Sequence, residues 1–323
     1  MRRVLATALA ILLLVLIFPS CSSEENRDDG KLKVITTVFP EYDFARVIGG
    51  DKVSVSMLTS GDIHSFEPSL VDVNKISSAD VFIYVGGASF AWVDGILDRI
   101  KSPDLIVVNL FDSVEKLCSG SGGLIIEPDK HKDEHESSHE GESDLHFDEH
   151  IWTSPKNASM MCDAICDALV KADPDNKSYY ESNCLEYGSE LDKLDSLYKE
   201  VVSEAERKTI VVADRFPFVY MCNEYNLSYC AAMTGCSSAS DISFATVVSL
   251  ANAIKENGIK TVIYTDFSDS NIIDTVEKQL GDYKIKRKML NSCQTVREKD
   301  IKNGVTYLSL MTENAEVLRE VLN

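Results

Sequence analysis

Four short apolar or β-branched runs, at residues 34–39, 53–58, 81–85 and 105–110, alternate with helix-like stretches at 69–78 and 91–100. This βα alternation predicts a mostly parallel sheet covered on both faces by helices. The segment 118–148, rich in Gly, Ser, His and acid, has no apolar period and reads as a mobile surface loop. Order returns at Thr153-Ser154-Pro155, an N-cap followed by proline at the first helical position, so a helix is expected to about residue 172. Pro174 interrupts the pattern. From 177 to 207 a second helical stretch places Tyr187, Leu191, Leu194, Leu197, Tyr198 and Val201 on one stripe. At about 1.5 Å per residue it would reach roughly 45 Å, long enough for a spine. The second half repeats the first in kind, with strands at 209–213, 227–231, 260–265 and 283–286 and helices at 244–257, 272–280 and 312–322.

The class is therefore α/β: two βα lobes with mostly parallel sheets, at 31–172 and 208–323, joined by a long rigid helix within 173–207. About 290 residues exceed what one core usually organises, which also favours two lobes. Ligands of open α/β sheets sit beyond the carboxyl ends of the strands. His64 follows the second strand, Arg215 the run 209–213, and Asp266 and Asp269 the run 260–265.

Ahead of the lobes, Arg2 and Arg3 precede an apolar run at 4–18. It is short for a membrane span and suits the core of an export signal. The run ends in Ile17-Phe18-Pro19-Ser20-Cys21, which resembles a bacterial lipoprotein cleavage site, so residues 1–21 read as signal peptide and lipidated Cys21, and 22–30 as a tether. Phe18 and Pro19 depart from the usual box, which leaves an ordinary cleavage site or an uncleaved anchor as alternatives. The net charge of −20 argues against nucleic acid.

Histidine is unevenly spread. Of six, His131, His135, His139, His146 and His150 fall in one acidic stretch, and His64 stands alone in Gly61-Asp62-Ile63-His64-Ser65-Phe66-Glu67-Pro68. Neutral imidazole is a preferred ligand of zinc and its first-row neighbours, and interleaved carboxylates attract cations, so the distribution points to metal.

Three segments then occur in order: Thr36-Thr37-Val38-Phe39-Pro40-Glu41-Tyr42-Asp43, the His64 segment, and Asp148-Glu149-His150-Ile151-Trp152-Thr153-Ser154-Pro155-Lys156-Asn157-Ala158. With Tyr84-Val85-Gly86-Gly87 and Thr306-Tyr307-Leu308-Ser309-Leu310-Met311 they resemble the zinc- and manganese-specific solute-binding proteins of ABC transporters from about Lys33 to the C-terminus. The resemblance implies a two-lobe protein with a rigid connecting helix, which captures a divalent metal between its lobes and delivers it to a membrane permease and its ATPase. It places the first two ligands on His64 and His150. The third position, three residues before Phe218-Val219-Tyr220, is Arg215, and a guanidinium offers donors but no lone pair to a metal. It must swing away or pair with an acid, Asp214 or a carboxylate from elsewhere. The fourth position falls on Asp269, with Asp266 in reserve, although an aspartate just before a helix also serves as an N-cap.

Zinc is preferred to manganese because the loop is nitrogen-rich, with His131, His135, His139 and His146 as low-affinity capture sites on a tether ending near His150. Cys162 and Cys166 share a helix face at a spacing that binds metal or simply fills a core. Some relatives carry a disulfide in the second lobe, which makes Cys236 and Cys293 a possible pair. With no nucleophile elbow, phosphate loop or HExxH helix, no enzyme is expected. The expected product is a monomeric, extracytoplasmic, lipid-anchored zinc carrier; a surface adhesin or metal reservoir on the same scaffold, or a binder of manganese or a chelated metal, is the alternative.

Overall fold

A computed structural model describes residues 30–323 except 60, 101, 126–145, 236–241, 267, 269 and 270. Its first sheet is wholly parallel, with β1 (Leu32–Thr36), β2 (Val53–Met57), β3 (Val81–Tyr84) and β4 (Ile106–Asn109) in the order β2-β1-β3-β4. Every residue of β3 is buried, as expected of a parallel strand covered on both faces. Helices α1 (Phe39–Gly49), α2 (Leu70–Ser77) and α3 (Trp92–Leu97) connect these strands.

The chain then runs through β5 (Leu124–Ile125), α4 (Pro155–Ala172) and α5 (Lys177–Ser203). Ser154 caps α4 by accepting the Asn157 N–H, with Pro155 in the first turn. α5 is one unbroken helix of 27 residues, about 40 Å long. Its buried stripe includes Tyr187, Leu191, Leu194, Tyr198 and Val201, with Leu197 partly buried.

The second sheet, also parallel, has the order β5-β7-β6-β8-β9, where β6 is Thr209–Phe216, β7 Ser228–Thr234, β8 Thr261–Thr265 and β9 Lys286–Leu290. Helices α6 (Val219–Glu224), α7 (Phe244–Glu256), α8 (Asn271–Leu280), α9 (Glu298–Lys302) and α10 (Tyr307–Val321) complete it. Residues Leu32–Asn323 form one unit whose main core runs from Val34 in β1 to Leu322. The last helix returns to the first half: the Tyr307 N–H donates to Asp43 in α1 at 2.9 Å, and the Tyr198 hydroxyl of α5 donates to the Met311 carbonyl at 2.8 Å.

The structure corrects the sequence reading at several places. Residue 39 begins α1 rather than ending a strand, because the Glu41 carboxylate gathers the Thr37 N–H, the Thr37 hydroxyl and the Val38 N–H at 2.7, 2.8 and 3.2 Å and so turns the chain. The strand expected at 283–286 lies at Lys286–Leu290. The segment 118–148 is not uniformly a free loop: Leu124–Ile125 adds an edge strand beside β7, and Cys118 bridges Phe147.

Glu41 is wholly buried, and desolvation outweighs the three donors around it, pushing its carboxyl up to about 8. A carboxyl raised in the folded state contributes stability that is complete below its unfolded value of 4.5 and is lost as pH rises through about 8. Glu41→Gln, which cannot ionise, is therefore expected to flatten the decline in thermal midpoint between these values; a wild-type profile with no such decline contradicts this.

Candidate metal centre

His64 sits in a single turn of 3-10 helix, Ile63–Ser65, beyond the carboxyl end of β2. Asp62 caps that turn: its Oδ1 accepts the His64 N–H at 3.1 Å. His150 immediately precedes a second such turn, Ile151–Thr153, that leads into α4. Asp148, Glu149 and His150 are all buried although they end an acidic loop. Each residue has a specific partner, although Asp148 Oδ2 and Glu149 Oε2 accept no hydrogen bond. Asp148 Oδ1 accepts the His150 N–H at 2.9 Å and lies 3.1 Å from His150 Nδ1. Tyr220 of α6 donates its hydroxyl to the Asp148 carbonyl at 2.9 Å and accepts the Leu117 N–H at 3.1 Å, fastening this segment to the second sheet. Glu149 Oε1 accepts the Ser89 N–H at 2.7 Å.

Two glycines make room for these groups. Gly87, at φ +93°, would put a Cβ 2.6 Å from Glu149, and a Cβ on Gly235 would come within 2.8 Å of the Phe216 carbonyl and 2.9 Å of the His150 ring. Trp152, two residues beyond His150, donates its indole N–H to the Ser292 carbonyl at 2.7 Å, and its own carbonyl accepts the Tyr307 hydroxyl at 2.6 Å. The second imidazole is thus gripped by the second sheet's loops and the last helix.

The two imidazoles meet through Nε2, 3.4 Å apart. His64 Nδ1 lies 2.8 Å from the Ser89 hydroxyl and 3.7 Å from Glu149 Oε2, while His150 Nδ1 faces the Asp148 carboxylate. The Asp148 carboxylate accepts a proton from His150 Nδ1, whereas the Ser89 hydroxyl can serve His64 Nδ1 as donor or acceptor; both rings present Nε2 to the same point. Burial, then His150 and the Arg215 guanidinium, push His64 down to about 4, against the opposing pull of Asp62. Burial likewise raises the carboxyl of Glu149. Two nitrogens about 2.05 Å from a tetrahedral zinc ion stand about 3.4 Å apart, which is the separation here.

Arg215 lies within the end of β6, not beyond it, at a register shift between Val212 and Arg215. Asp214, within this irregular stretch of the β6–β7 pairing, reaches the other neighbour, β8: its Oδ1 accepts the Arg215 N–H at 2.8 Å, and its Oδ2 accepts the Thr265 N–H and hydroxyl at 3.0 and 2.9 Å. It is therefore not the acid that pairs with the Arg215 side chain. That acid is Asp62, 2.7 Å from Arg215 Nη1, so the ion pair joins the His64 turn to the second sheet. Burial works against the charged form of Asp62, but the hydrogen bonds from Arg215 and the His64 N–H hold its carboxyl below the usual range.

Asp266 is also committed: its two oxygens accept the Ser292 N–H and hydroxyl at 2.6 and 3.1 Å, and burial raises its carboxyl. Cys293 is a free, fully buried thiol at φ +61°, with its sulfur 3.9 Å from the Asn291 carbonyl. His146 is exposed, with its carbonyl accepting the Ser119 N–H at 2.8 Å. Asp269, His131, His135, His139, Cys21 and Cys236 lie outside the described residues. Among the described residues, no three His, Cys, Asp or Glu side chains converge as metal ligands. The sequence reading missed Asp148, Glu149, Ser89 and Tyr220; the only signal for them was their neighbourhood to His150, Gly86-Gly87 and the Phe218-Val219-Tyr220 element.

The fold is that of α/β solute-binding proteins, with the paired histidines beyond the sheet edges. Residues 34–321 match the family model ZnuA, described as zinc-uptake complex component A, periplasmic, and the chain belongs to that family. The zinc-binding lipoprotein AdcA of Streptococcus pneumoniae is 29% identical over 311 residues, 95% of this chain but 59% of AdcA, so the chain spans little more than half of that relative. The high-affinity zinc uptake system protein ZnuA of Bacillus subtilis is 31% identical over 302 residues, 93% of this chain and 90% of that protein. The Zn(II)-bound ZnuA-like domain of S. pneumoniae AdcA superposes with a TM-score of 0.73 at 28% identity, over 91% of this chain and 99% of that domain.

Gly235→Ala is expected to lower the thermal midpoint, because neither the Phe216 backbone nor the His150 ring can yield without moving the site. An unchanged midpoint would show that this close approach does not constrain the fold.

Proposed function

We propose that the chain is an extracytoplasmic carrier of zinc, which takes the ion between His64 and His150 and hands it to an ABC permease and its ATPase. The observation that carries this reading is the pair of Nε2 atoms 3.4 Å apart, each ring held from behind by a hydrogen-bonding side chain at its Nδ1. A cation at this point takes a lone pair from each Nε2. Asp269 is the third ligand of this reading, with water or a loop histidine completing four-coordination. Export and lipidation at Cys21 would hold the carrier at the membrane surface, and the histidines at 131, 135, 139 and 146 would gather metal before transfer. Family membership supports a transport role rather than catalysis.

Titration of metal-stripped protein with zinc and manganese tests the reading. Tight one-to-one zinc binding, weaker manganese binding, and loss of zinc affinity by orders of magnitude in His64→Ala are expected. Tight zinc binding that survives both His64→Ala and His150→Ala would place the metal elsewhere.

Arg215 makes a second, sharper test. A guanidinium beside a divalent cation repels it, and Asp62 offsets that repulsion. Arg215→Gln should therefore tighten zinc binding roughly tenfold and Asp62→Asn weaken it by a similar factor. If both variants weaken binding, the pair acts as a mechanical clamp and not through charge.

A further inference from the structure

Away from the histidines, α4 and α5 pack side by side, and a solvent-filled groove of about 650 Å³ runs along their seam. Cys166 of α4 and Cys184 of α5 line it together. The two thiols come from different helices, and Cys184 Sγ lies 3.7 Å from the Cys162 carbonyl, one helical turn before Cys166. Cys184 Sγ also donates toward Asp163 Oδ1 at 3.7 Å, so its thiol is turned to the α4 face that carries Cys166. Cys162 shares the same core but has no part in lining the groove.

We propose that Cys166 and Cys184 form a reversible disulfide that staples α4 to α5, with a small-molecule disulfide or a thiol-disulfide oxidoreductase as the oxidant. The Cys166 sulfur, as thiolate, attacks one sulfur of the oxidant's disulfide; that bond breaks, one thiolate leaves, and a mixed disulfide remains. Cys184 then gives its proton to solvent and displaces the second thiolate. The protein loses two electrons and two protons, and the oxidant's disulfide is reduced to two thiols. Cys166 is the first nucleophile because the neighbouring Cys184 thiol lowers it below the ordinary value, while Cys166 in turn raises Cys184.

The groove also selects its reagent. Asp163, Asp167, Glu181 and Asp192 line it, and no lysine or arginine does, so a cationic disulfide is favoured over an anionic one. The bridge would join the helix that starts just after the His150 turn to the long helix that leads into β6. Seventeen residues lie between the two cysteines, a closed loop long enough for cross-linking to restrict the unfolded chain.

The test is oxidation of the reduced, full-length chain with cystamine and, separately, with oxidised glutathione, followed by alkylation and peptide mapping. Expected are a linked peptide joining Cys166 to Cys184, faster formation with cystamine by a margin that shrinks at high salt, and a higher thermal midpoint for the oxidised protein. Cys184→Ser should stop at a mixed disulfide on Cys166, and Cys162→Ser should oxidise like the wild type. A link between any other pair overturns the proposal. So does survival of both thiols under conditions that label the less buried Cys118, and this reading of the wild-type chain does not depend on whether a variant folds.

Discussion

Two largely buried imidazoles whose Nε2 atoms meet at 3.4 Å are a demanding arrangement for a protein to hold, and much of this structure is devoted to holding it. His64 is fixed by Asp62 at its backbone and by Ser89 at its ring; His150 is fixed by Asp148 at both. Behind them stand Tyr220, Trp152 and Tyr307, each tying the His150 segment to an element from a distant part of the chain. The rings are pre-oriented, so little reorganisation would oppose the entry of the proposed ion.

The same constraint explains the unusual burial of Asp148-Glu149-His150 at the end of a polar segment. An acidic run normally stays in water because ionised carboxylates are costly to desolvate. Here Asp148 and Glu149 each meet donors of the first sheet's loops or of the histidines, and Gly87 and Gly235 leave space where any Cβ would collide. Arg215 sits at the rim of this arrangement. Its charge is answered across the seam by Asp62, which also caps the His64 turn, so one carboxylate couples ligand geometry to local electrostatics.

Much of the scaffold was legible in the chain because periodicity reports burial directly. The buried run of β3, the proline-led start of α4 and the stripe of α5 are all read from spacing alone. Where side chains override pattern, the reading failed: Glu41 turns an apparent strand end into α1, and Asp214 absorbs a strand irregularity that carries Arg215 into β6. His64 and His150 were visible as a motif, and the need for an acid beside Arg215 followed from charge. Which acid it is depends on the folding of residue 62 against residue 215, a distance in sequence that no local pattern encodes. The long unbroken α5 also resists hinge bending, so this centre is better suited to small adjustments than to wide closure.

Zinc K-edge absorption spectroscopy on the chain loaded with one equivalent of zinc examines the paired-histidine site most directly. The account predicts a shell of nitrogen and oxygen only, with scattering from two imidazoles that falls to one in His150→Ala. Sulfur in the shell, or fewer than two imidazoles in the wild type, would contradict it.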